Sequence, residues 1–107
     1  MYPGRNRSND KLKNLEILNL DWDHIIIIPD TLGNLTNLTE INLDQNKIRS
    51  IPIALNKLVH LSYFNLHGNQ IKEIDPKLDL SITSQSNRWS GLVLRGNSFN
   101  QLLDSLD

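Results

Sequence analysis

Leu38-Thr-Glu-Ile-Asn-Leu-Asp-Gln-Asn-Lys-Ile-Arg-Ser-Ile-Pro52 sets the pattern of the whole chain. Its apolar residues stand at Leu38, Ile41, Leu43, Ile48 and Ile51, with Asn46 set between two of them. A shift of 23 residues forward gives Leu61, Phe64, Leu66, Asn69, Ile71 and Ile74. A shift of 23 back gives Leu15, Leu18, Leu20, Asp23, Ile25 and Ile28. A fixed period of about 20–50 residues marks stacked units, each of which buries its apolar side only against its neighbours. The period therefore predicts a solenoid.

Residues 38–48 and 61–71 read Leu-x-x-Leu-x-Leu-x-x-Asn-x-Leu, with Ile or Phe at some Leu positions. Residues 15–25 keep the pattern with Asp23 for Asn, and residues 89–99 keep it with Trp89 first and Phe99 last. Ile-Pro-x-x-Leu-x-x-Leu follows at Ile28 to Leu35 and again at Ile51 to Leu58. Together these segments resemble leucine-rich repeats of the short, helix-poor variety with a period of 23 residues, of a bacterial-like kind, over residues 12–107. The resemblance implies an α/β solenoid. Its expected form is a right-handed superhelix with a short parallel β-sheet on the concave face and helix-poor turns on the convex face.

Alternation around Leu18/Leu20, Ile41/Leu43, Phe64/Leu66 and Leu92/Leu94 has period two and predicts short strands near 16–20, 39–43, 62–66 and 90–94. A buried Asn amide both donates and accepts, so Asn46, Asn69 and Asn97 are expected to form a structural ladder across strands about 4.8 Å apart. Asp23 takes the same inward place in the first repeat as a weaker rung, since an ionised carboxylate cannot donate. Pro29 and Pro52 fix φ and predict extended or single-turn backbone on the outer side. From Leu61 to Trp89 the spacing is 28, and Ser-rich residues 80–88 take up the excess as an outer loop. Residues 1–11 read as a polar tail or thin cap, and Leu102, Leu103 and Leu106 as a closing turn.

Hydrophobic residues make up 38% and charged residues 21% of the 107-residue chain, which suits one folded domain. A formal charge of −1 gives no attraction to nucleic acid or anionic lipid, so neither is expected as a partner. No apolar run approaches the roughly 18 residues of a membrane span, and Met1 to Arg7 lacks an apolar signal core. Extracellular members of the family commonly carry disulfide-rich caps, so a chain without Cys is expected in a reducing, cytoplasmic compartment. The resemblance extends to bacterial effectors delivered into the host cytosol.

Outward positions of the sheet can be written by column. They are Ile17, Glu40, Tyr63 and Gly91; Asn19, Asn42, Asn65 and Val93; Asp21, Asp44, His67 and Arg95; then Trp22, Gln45, Gly68 and Gly96. The family uses this face to bind proteins, which implies a protein partner here. Trp22 and Tyr63 are the candidate anchors, because aromatics carry much interface energy; alternatively Trp22 leans on the N-terminal segment and Tyr63 on its neighbour. Ile26 and Ile27 replace the polar pairs Arg49/Ser50 and Lys72/Glu73, leaving an apolar patch that invites contact or homodimerisation. No nucleophile pattern or phosphate-binding glycine loop is present, and no cofactor or catalytic residue is expected. Asp21, Asp23 and His24, or His67 beside Asp44, do not converge as three or four metal ligands, so no metal is expected.

Overall fold

A computed structural model describes residues 12–79 and 91–99 of the chain. The readings of residues 1–11, 80–88 and 102–106 therefore lie outside the described residues. Four strands form one parallel sheet in sequence order: β1 (Ile17–Asn19), β2 (Glu40–Asn42), β3 (Tyr63–Asn65) and β4 (Leu92–Val93). Pairing is in phase with the sequence period. Leu18 pairs with Ile41, Ile41 with Phe64, and Phe64 with Leu92. The expected strands sit in the right places, each shorter than its apolar alternation.

Period-two alternation sends Ile41, Leu43, Phe64 and Leu66 inward, and all four are buried. On the opposite side the chain returns through two 3-10 helices, Asp30–Asn34 and Ile53–Lys57. Pro29 and Pro52 precede them in extended conformation, with φ of −71° and −70°. One turn suffices to bring Leu55 and Leu58 back onto the core, where both are buried. In the third repeat the proline moves to Pro76, and no 3-10 helix forms among residues 66–79. The result is a solenoid-like stack with little helix.

The core is graded along the stack. Leu38, Ile41, Ile48, Leu61, Phe64 and Ile71 of the middle layers are fully covered, whereas Leu15, Leu18, Ile25, Leu92, Leu94 and Phe99 are only partly buried. Each layer covers the next, so those with a neighbour on one side among the described residues stay half open. Leu20, assigned inward by the alternation, is exposed for this reason.

The turn after each strand is locked by an Asn side chain. Asn46 donates to the carbonyls of Leu43 (3.1 Å) and Leu20 (2.9 Å), and its Oδ1 accepts from the N–H groups of Asp23 and Ile25. Asn69 repeats this on Leu66, Leu43 and Ile48, and Asn97 on Leu94, Leu66 and Ile71. Every rung reaches back one layer. Asn97 keeps phase despite the longer spacing, so the five extra residues fall between Asp79 and Gly91.

Asp23 departs from expectation. Its side chain is exposed and forms no rung; only its backbone N–H joins the ladder, donating to Asn46. The reason is directional: a rung donates to the preceding layer, and none precedes β1 among the described residues. The carboxylate therefore stays in water, where its charge is solvated.

Candidate functional site

The outward face of the sheet collects the candidate binding residues into adjacent rows. Ile17 lies beside Glu40 and Glu40 beside Tyr63, while Asn19, Asn42, Asn65 and Val93 form the central row. Ile17, Asn19, Asp21 and Arg95 are exposed; Glu40, Asn42, Asp44, Gln45, Tyr63, Asn65, His67 and Val93 are half-buried. Tyr63 thus has a neighbour-supported ring with part of its surface open. Trp22 is far more open, at 65% exposure.

Two of the central asparagines have a second task. Asn42 Oδ1 accepts the Asp44 N–H at 3.1 Å, and Asn65 Oδ1 accepts the His67 N–H at 3.0 Å. The side chain thus closes a local turn onto the backbone two residues on. The sequence columns present these asparagines as recognition positions, whereas their Oδ1 atoms are committed to the backbone. Their signal was present as Asn-x-Asp and Asn-x-His; Val93 cannot form the bond.

His67 Nδ1 lies 2.9 Å from Asp44 Oδ1, and Gln45 Nε2 lies 3.2 Å from the same ring nitrogen. The row that changes sign along the stack therefore contains one definite side-chain contact between neighbouring strands. Both His67 and Asp44 remain partly open to solvent, so the contact contributes at most about 1 kcal/mol.

Beyond that row the backbone turns left-handed. Trp22 (φ 61°), Gln45 (φ 59°), Gly68 (φ 73°) and Gly96 (φ 77°) occupy the same position in successive repeats. Glycine is the natural occupant, since a Cβ is crowded there. Trp22 instead holds a large aromatic out from this turn into solvent. The sequence marked Trp22 as aromatic and outward, and the glycines at 68 and 96 in its column are the sign of the left-handed backbone there.

The first repeat also exposes Ile17, Ile26 (54%) and Ile27 (74%). Ile27 borders an apolar notch with Leu18, Leu20, Ile25 and Leu32. A shallow groove beyond the turns is lined by Arg49, Ser50, Gln70, Lys72, Glu73 and Ser98, mixed in charge and without a buried polar group. Among the described residues no group of three or more His, Asp or Glu is placed to hold a metal ion, and no helix is long and apolar enough to cross a membrane.

Residues 36–80 match the family model described as Leucine Rich repeats (2 copies). No match was found among curated proteins. The matched span contains β2, β3 and the ladder residues Asn46 and Asn69, and the flanking repeats continue the same register. With the parallel sheet, the layered core and the asparagine ladder, this places a leucine-rich repeat region at residues 36–80.

Proposed function

We propose that this chain is a non-catalytic module that binds another protein through the outward face of its sheet, the concave side of a right-handed coil. Leucine-rich repeats generally mediate protein–protein interaction. A repeated backbone presents one side chain per column per strand, so a recognition surface is varied without disturbing the core. The observation that carries the reading is Trp22, held 65% exposed on a left-handed turn at the edge of the face, with Tyr63 half-buried two strands away. An aromatic in that place costs the fold something and serves packing little. Trp22→Ala and Tyr63→Ala are expected to retain the wild-type circular dichroism and melting transition while losing capture of the partner. Full capture by both variants would remove the sheet face as the binding site.

A second reading is favoured by Ile26 and Ile27, exposed where the other repeats carry polar residues. In this reading two copies associate through the first repeat. Light scattering on the wild type and on Ile26→Lys/Ile27→Lys distinguishes the two readings.

A further inference from the structure

The chemistry of the partner is legible in how charge is sorted, given the sheet-face reading on which this inference rests. Asp21, Glu40 and Asp44 stand on the outward face over β1 and β2. Among the described lysines and arginines only Arg95 shares that face. Lys47, Arg49 and Lys72 follow the turns, and Lys13, Lys57 and Lys77 lie toward the outer return, where Asn37 and Asn56 bind the Lys13 and Lys77 carbonyls. A chain with a formal charge of only −1 thus turns a locally acidic surface outward.

Two of these three carboxylates are not used by the fold among the described residues. Asp44 is engaged by His67, but the side-chain carboxylates of Asp21 and Glu40 have no hydrogen bond or ion pair among the described residues. Trp22 follows Asp21 directly, and Ile17 pairs across the strands with Glu40. An exposed indole directly after the unpaired Asp21 carboxylate suits a cation with a hydrocarbon stem. The ring face attracts the charge, the carboxylates accept its hydrogen bonds, and the isoleucine covers the methylenes.

We propose that the partner presents a basic peptide segment here, with an arginine or lysine seated between Asp21 and Asp44 and stacked on Trp22, and a further basic residue of the segment toward Glu40. Arginine fits better, because its planar fork binds carboxylates and lies flat on an aromatic ring at once. A segment rich in glutamate or aspartate meets like charge and is excluded.

The test is an NMR titration of the full chain with two short synthetic peptides, one carrying Arg-Leu-Arg between glycines and the other Glu-Leu-Glu. The arginine peptide is expected to shift the amide signals of Asp21, Trp22, Glu40 and Asp44, and to bind less tightly as salt is raised. Asp21→Asn, Glu40→Gln and Trp22→Leu should each weaken it about two- to fivefold. The inference is overturned if the glutamate peptide shifts the same signals, if the arginine peptide shifts none, or if the variants bind it unchanged. It is equally overturned if these signals move with protein concentration alone, which assigns the face to a second copy. If Trp22→Ala and Tyr63→Ala abolish partner capture while Asp21→Asn/Glu40→Gln preserves it, the sheet-face reading stands without a basic partner.

Discussion

Asn69 satisfies three backbone groups from inside the core: the carbonyls of Leu43 and Leu66 and the N–H of Ile48. Water cannot replace it, because the side chain is only 5% exposed. Asn69→Ala is therefore expected to cost about 2–4 kcal/mol in urea unfolding, as buried donors and acceptors lose their partners. Asn19, exposed on the sheet face, gives the matched comparison: Asn19→Ala should change stability by less than about 0.5 kcal/mol. At Trp22 the expectation reverses. Its φ of 61° burdens an L-residue, and its side chain contributes little burial. Trp22→Gly should leave stability unchanged or raise it by up to about 1 kcal/mol, since glycine occupies this region without a Cβ clash. A loss of more than that would mean that Trp22 packs on the rest of the chain.

At the scale of elements, the two 3-10 helices pack directly against each other. Gly33 in the first helix is buried, and a Cβ there would overlap the Ala54 carbonyl oxygen in the second. Its backbone has no positive φ, so proximity rather than conformation excludes a side chain. Gly33→Ala is expected to destabilise by about 1–3 kcal/mol through forced separation of the helices, measured by thermal or urea unfolding. The same position in the next repeat is Asn56, whose side chain instead reaches Lys77 and Asp79. Outer turns are thus less uniform than the strands. Backbone pairing repeats every layer, whereas each return segment has its own local fit.

At the scale of the molecule, stability is concentrated in the middle layers. Repeat stacks behave as nearest-neighbour chains in which each unit is held by the units beside it. Amide exchange should therefore be slowest at Leu43, Ile48 and Leu66, and faster at Leu20 and Ile25 of the first repeat. Uniform exchange across all layers would show instead that the stack opens only as a whole. The exposed Ile26 and Ile27 belong to this scale too. If two copies associate there, Ile26→Lys/Ile27→Lys should convert a dimer to a monomer in light scattering. A wild-type chain that is already monomeric removes the self-association reading.

Reading residue types alone, the 23-residue period placed the strands and the ladder asparagines, because stacking forces equivalent residues into register, and the family resemblance supplied their parallel order. The proline positions mark where the single-turn returns begin, since a fixed φ sets the extended entry into each. Tertiary structure alone decided which equivalent positions are alike. Asp23 shares its place with Asn46 yet stays in water, because a rung requires a layer behind it. Trp22 shares a left-handed turn that the glycines of its column signal and Trp22 itself does not, and Asn42 and Asn65 divide their polar atoms between turn and surface. Periodicity records what every layer has in common, whereas burial and pairing depend on which layers stand on either side.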